Sequence, residues 1–147
     1  MRSNLIVDDH LLALAIARVA PAPVDAAVSN GELFTTGSWY YRLGRAALNP
    51  NSQGTISRRL DALSPARRTA VFAAIDRLPD EIGLISLRHL VPVMSELDAS
   101  GLRLNLLAAE VVATALLTHA RILVSTDTPL LAKACHQLDV QYDVATL

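Results

Sequence analysis

Two short apolar runs, one near each end of the chain, stop at a carboxylate and pass at once into a helix-like segment. The first is Leu5-Ile6-Val7-Asp8-Asp9-His10-Leu11-Leu12 and the second is Ile122-Leu123-Val124-Ser125-Thr126-Asp127-Thr128-Pro129. A short apolar run bounded in this way reads as a strand covered on both faces. Strands that alternate with helices require a mainly parallel sheet, because parallel neighbours are joined by crossovers. Ligands of such a sheet sit outside the carboxyl ends of its strands. Asp8 and Asp127 are therefore expected to meet in one crevice, and oxygen donors of this kind suit Mg²⁺ or Mn²⁺.

The stretch between these marks continues the alternation. Strands are expected at 4–8, 33–36, 82–87, 121–125 and 140–144, the last at a sheet edge. Helices are expected at 9–19, 24–28, 38–47, 56–63, 65–78, 89–97, 104–119 and 129–138, with Ser38 as one N-cap and Ser64-Pro65 opening another. Asn30-Gly31 marks a turn, and Asn49-Pro50-Asn51-Ser52-Gln53-Gly54 marks the clearest loop. The pattern predicts an α/β fold, a three-layer α/β/α sandwich with a mainly parallel central sheet, formed as one domain over residues 1–147.

Composition narrows the function classes. The hydrophobic fraction of 52% argues against disorder, and a net charge of -1 gives no overall attraction to nucleic acid. A lone cysteine, Cys135, excludes a disulfide framework and fits a reducing, cytoplasmic setting, with the thiol packed as a small apolar group. The most apolar stretch, 104–117, is interrupted by Glu110 and is too short to span a bilayer. Asp8 and Asp9 cut off any apolar signal region. There is no phosphate-binding glycine loop and no nucleophile elbow, and His119, Cys135 and His136 lack zinc spacing.

Local chemistry offers a structural role beside each functional one. Asp8 is well suited to cap the following helix, Asp9 to act as a cap or a solvated neighbour, and His10 to be a hydrogen-bonded first-turn residue. Asp127 also suits a cap or turn before Thr128-Pro129. Glu110, a lone acid in an apolar helix, is explained by either a site or a solvated stripe. Trp39, Tyr40 and Tyr41 offer rings for base stacking, with core packing the better fit for Trp39 and a pocket wall the other role for Tyr40. Arg42, Arg45, Arg58, Arg59, Arg67 and Arg68 are opposed only by Asp61 between residues 42 and 68. They form a phosphate-contacting face, a set of solvated helix faces, or a dock for an acidic partner.

Taken in order, Ile6-Val7-Asp8-Asp9-His10-Leu11-Leu12 and Leu123-Val124-Ser125-Thr126-Asp127 resemble the opening and closing motifs of PIN domains. That family includes the toxin ribonucleases of bacterial toxin–antitoxin pairs. The resemblance implies a cluster of carboxylates that holds divalent metal for RNA cleavage. Asp8 matches its first acid and Asp127 its last, and Ser125 matches a hydroxyl residue that supports them. Glu110 stands about one residue from the place of the third acid, and Tyr40 stands where the second, a Glu, belongs. No acid occurs between Glu32 and Asp61 to replace it.

The resemblance therefore implies a Mg²⁺- or Mn²⁺-dependent ribonuclease with Asp8, Glu110 and Asp127 as metal ligands and catalytic residues, and Ser125 in support. Arg42, Arg45 and Tyr40 would contact substrate. RNA, a small antitoxin protein and a second copy of the chain would be the partners, with no membrane. The rival expectation is a PIN-like protein that has lost catalysis and binds or regulates. A third is an unrelated α/β binding module, in which Asp8 and Asp127 would lie far apart.

Overall fold

The computed structural model describes residues 3–49 and 54–147. Five strands, β1 (Leu5–Val7), β2 (Leu33–Thr35), β3 (Ile82–Leu84), β4 (Arg121–Val124) and β5 (Tyr142–Val144), form one sheet in the order β3-β2-β1-β4-β5. Every pairing is parallel. The chain steps outward from β1 through β2 to β3, then returns to the other side of β1 as β4. The strand order therefore reverses between β1 and β4, which is where an open α/β sheet forms its crevice.

Among the described residues eight helices cover the sheet: α1 (Asp9–Ile16), α2 (Ala22–Ser29), α3 (Gly37–Leu48), α4 (Thr55–Asp61), α5 (Pro65–Asp76), α6 (Leu87–Ala99), α7 (Leu106–Thr118) and α8 (Pro129–Gln137). The result is a three-layer α/β/α sandwich. Strand periodicity of two splits the core. Leu5, Val7, Leu33 and Leu123 pack with Leu11 and Leu12 of α1, Leu60 of α4 and Val71 of α5. Ile6, Ile122 and Val124 pack on the opposite face with Val111 and Val112 of α7 and Leu131 and Cys135 of α8. Each fully buried side chain of this size stabilises the fold by roughly 1.5–3 kcal/mol. α3 bridges both layers, with Trp39 in one and Leu43 in the other.

Most predicted elements are present, with shifted ends. Ser64 accepts from Arg67 N at 3.3 Å and Pro65 opens α5, as expected. The predicted strand at 82–87 stops at Leu84, because Ser86 turns out of the sheet as the N-cap of α6 and its carbonyl accepts from His89 and Leu90. α6 continues through Pro92 and loses the amide that would have reached back to residue 88. The cap of α3 is Thr36, not Ser38: Thr36 Oγ1 accepts from Trp39 N at 3.2 Å. α7 opens on Asn105, whose side chain accepts from Ala108 N, and stops at His119 in the left-handed region at φ 55°. The turn at Asn30-Gly31 is present, with Gly31 at φ 67°. The loop expected at 49–54 falls largely on residues 50–53, which lie outside the described residues.

Gly83 is a steric requirement. A β-carbon there would collide with the Phe34 ring on the neighbouring strand. Among the described residues no helix is long and apolar enough to cross a membrane.

Candidate functional site

β1 ends where α1 begins, and Asp8 occupies the junction. Its Oδ1 accepts from Leu11 N at 3.0 Å, capping α1. Its Oδ2 accepts from both Ser125 N at 2.8 Å and Ser125 Oγ at 2.7 Å. Asp8 is only 6% exposed, so these donors replace the water that burial removed. Hydrogen bonds to an ionised acceptor are the strong kind, and the helix N-terminus adds favourable potential. Asp8 thus joins, through Ser125, the carboxyl ends of β1 and β4 at the point where strand order reverses. Asp8 and Asp127 are not remote, because Asp8 binds the residue two positions before Asp127.

Asp9 departs from its expected role as a cap or solvated neighbour. It is 2% exposed and lies 3.3 Å from Arg42 Nε, while its Oδ1 accepts from His10 N. The approach of Arg42 is an ion pair without hydrogen-bond alignment, since Asp9 Oδ2 has no hydrogen-bond partner among the described residues. Burial raises the Asp9 pKa, the neighbouring Asp8 raises it further, and Arg42 opposes both. His10 also departs from expectation: its Nδ1 is enclosed and has no hydrogen-bond partner among the described residues.

Glu110 is not on a solvated stripe. It is 3% exposed and reaches from α7 to the first turn of α3, where Oε2 accepts from Ser38 Oγ at 2.7 Å and Oε1 from Ser38 N at 3.2 Å. An acid at a helix N-terminus meets unsatisfied amides and a favourable dipole. Gly37 makes room for it, since a β-carbon there would stand 3.0 Å from Glu110 Oε1. Ser38 is therefore a donor to Glu110 rather than a cap.

Tyr40 points elsewhere. Its hydroxyl lies 2.6 Å from Ala74 O and 2.7 Å from Ile75 O, so its single proton is shared between carbonyls at the end of α5. Burial raises its pKa, and Asp76 adds to the shift. Asp127 is exposed; its Oδ1 accepts from the Tyr142 hydroxyl at 3.0 Å, and the Tyr142 hydroxyl oxygen in turn accepts from Thr128 N at 2.8 Å. Burial is the main cause raising the Tyr142 pKa, with Asp127 a smaller one. Tyr142 escaped sequence reasoning because its partner Asp127 lies 15 residues earlier, on another strand's end.

The donor set does not fit a three-acid metal cage as arranged. A divalent ion of the Mg²⁺ class needs carboxylate oxygens with free lone pairs aimed at one point. Asp8 Oδ2 already accepts two hydrogen bonds, and both Glu110 oxygens serve Ser38. Among the described residues no group of three or more His, Cys, Asp or Glu is placed to hold a metal ion.

The basic residues separate by role. Arg42 pairs with Asp9, Arg68 lies 3.7 Å from Asp61, and Arg67 Nε donates to Ala17 O. Arg42 and Arg45 line a polar cavity of about 290 Å³ with His10 and the start of α4. Trp39 is in the core at 4% exposure, and Cys135 is fully buried, with its thiol pushed up to about 11 by burial. Fold and site together define an all-parallel α/β/α sandwich whose central crevice is tied by a buried carboxylate. No protein-family model matches the chain, and no curated protein matches it.

Proposed function

We propose that this chain is a PIN-like protein that no longer cleaves RNA with metal and works as a binding module, with RNA as its ligand. One observation carries the reading. The two buried acids nearest to a metal-ligand role, Asp8 and Glu110, spend their oxygens on Leu11, Ser125 and Ser38. Carboxylates held this way stabilise the fold without a metal to offset their repulsion. Tyr40, in the position of the missing acid, turns its hydroxyl to α5. Arg42 and Arg45, beside the polar cavity, supply positive charge for a phosphate backbone. By its resemblance the protein would also meet a second copy of itself or a small antitoxin-type protein.

The second reading is the divalent-metal-dependent ribonuclease of toxin–antitoxin type, with Asp8, Glu110 and Asp127 as ligands. It is favoured by the placement of Asp8, Ser125 and Asp127 at or just beyond the carboxyl ends of adjacent central strands. It requires Glu110 to leave Ser38.

Thermal unfolding with and without millimolar Mn²⁺, for the native chain, Asp8→Asn and Asp127→Asn, separates the two. A ligand that binds only the folded state raises stability with its concentration over Kd. The binding reading expects no Mn²⁺ shift, no cleavage of a labelled single-stranded RNA, and salt-sensitive retention of that RNA. An Mn²⁺ shift in the native chain that disappears in both variants, together with cleavage, establishes the ribonuclease instead. Failure to retain RNA with no Mn²⁺ shift removes both.

A further inference from the structure

Between α3 and α5 lies a cleft of about 710 Å³ lined by Gly37, Tyr40, Tyr41, Gly44, Arg45, Leu48, Asn49 and Ile75. It shares Arg45 with the polar cavity beside the acid site, but its aromatic and glycine walls are its own. On α3 the lining positions recur at helical spacing, so one stripe of that helix forms a whole wall. The lining is mainly apolar, with Arg45 and Asn49 supplying the polar groups. The volume falls within the range of small-molecule sites, about 300–1,000 Å³.

Three features point to the chemistry of an occupant. The Tyr40 ring is a fixed wall, because its hydroxyl is tied to the end of α5. Tyr41 is 66% exposed, and the Arg45 guanidinium lies over its ring, 5.9 Å from the centroid. A guanidinium held near a ring keeps N–H donors for an anion. Among the described residues no carboxylate pairs with Arg45. Gly44 is the third feature. Glycine inside a helix weakens it relative to alanine, yet a β-carbon at 44 would meet only Ile75 Cγ2, at an ordinary 3.5 Å. Packing within the chain does not require glycine there. What the missing side chain does is leave the wall of the cleft open.

We infer that the α3–α5 cleft is a binding site for a small planar aromatic anion, its ring held between Tyr40, Tyr41 and the glycine wall and its charge held by Arg45. A nucleoside monophosphate and an aryl carboxylate share this chemistry. The site shares Arg45 with the proposed RNA face, and Gly44, which lines only this cleft, tells the two apart.

The test is titration calorimetry of the full chain with adenosine 5′-monophosphate, indole-3-acetate and inorganic phosphate as probes. At least one aromatic anion is expected to bind, and phosphate alone is expected to bind at least about tenfold more weakly, because it lacks the ring. Arg45→Gln changes an exposed side chain and is expected to weaken binding by about tenfold or more, the loss of one charge-assisted contact. Gly44→Leu fills the cleft and is expected to abolish binding, with circular dichroism reporting that the fold is kept. Gly44→Ala, which the packing accommodates, provides a folded comparison with a slightly smaller cleft. Binding of AMP alone identifies a nucleotide site, and binding of the indole acid alone an aryl-acid site. The proposal is overturned if no aromatic anion binds, or if binding survives Gly44→Leu unchanged. It is also overturned by a dimer that Gly44→Leu dissociates in the absence of ligand heat, which would make this face a contact between copies.

Discussion

Ser125 donates both its backbone amide and its hydroxyl to a single oxygen of Asp8, a residue 117 positions earlier in the chain. The contact ties β1 to β4 across the central crevice and takes up both acceptor positions of Asp8 Oδ2. With the cap on Leu11 N, it makes Asp8 a structural acceptor for three donors. Asp8→Asn should therefore destabilise the protein. An amide in this position either turns its own N–H groups toward those of Ser125 or gives up the α1 cap. The expected loss is about 1–3 kcal/mol, as for a buried donor left without its acceptor. Urea denaturation of the native chain and the variant measures it. An unchanged or higher midpoint would mean that relief of repulsion with Asp9 outweighs the lost bonds.

Glu110 and Ser38 make a second long-range tie, 72 positions apart. Glutamine can reproduce it, accepting from Ser38 N through its carbonyl while its amide donates to the hydroxyl. Glu110→Gln is expected to cost less than about 1 kcal/mol, whereas Glu110→Ala should cost about 1–3 kcal/mol by stranding buried donors at the start of α3. A chemical denaturation pair checks the ratio. Equal losses would mean that the charge on Glu110 matters more than its hydrogen bonds.

Tyr40 tests the idea that restoring the absent acid restores a metal site. Tyr40→Glu would set a carboxylate against the carbonyl oxygens of Ala74 and Ile75, acceptor facing acceptor. Destabilisation of about 1–3 kcal/mol is expected, with no gain in Mn²⁺-dependent melting temperature. Tyr40→Phe, which loses only the hydroxyl, should cost about 0.5–1.5 kcal/mol. A Mn²⁺ response in Tyr40→Glu would restore the ribonuclease reading.

The buried Asp9 predicts a pH dependence of defined sign. Its pKa is raised by burial and by Asp8, so the folded state holds its proton more tightly than the unfolded chain. The associated stability is fully present below the ordinary carboxylate value and is lost as pH rises through the higher folded value. Asp9→Asn removes this dependence. The native chain should therefore lose stability relative to Asp9→Asn between about pH 4 and pH 7. Urea midpoints at the two pH values decide it, and a difference that moves the other way would show that the Arg42 pair dominates.

Gly44→Ala should raise stability by about 0.4–1 kcal/mol, because alanine reduces the entropy of the unfolded chain and the site has room for its methyl group. A fall in melting temperature would place the α3–α5 contact closer in solution than 3.5 Å implies.

The layer order of this fold was legible because it rests on local periodicity. Runs such as Leu5-Ile6-Val7 and Ile122-Leu123-Val124 cannot be solvated, and their flanking segments repeat at helical spacing, so a parallel sheet follows from the order of elements alone. Element ends were less legible. Ser38 looks like an N-cap in sequence, yet Thr36 caps α3, and Ser86, read as part of a strand, instead opens α6 and ends that strand early. Which of several neighbouring hydroxyls folds back onto the backbone depends on where the chain leaves the sheet.

By itself, the sequence determined the α/β class, the mainly parallel sheet, the placing of Asp8 and Asp127 after two strands, and the burial of Trp39 and Cys135; that these strands are neighbours was decided by the sheet order. These follow from hydrophobic burial, which is non-directional and readable as a pattern. Only the tertiary structure decided that Asp8 binds Ser125, that Glu110 binds Ser38, that Arg42 covers Asp9 and that Tyr40 reaches α5. Hydrogen bonds and ion pairs are directional and act over a few ångströms. The partner of each buried polar group is therefore set by how the helices sit on the sheet, and one residue of shift along α7 would give Glu110 a different partner.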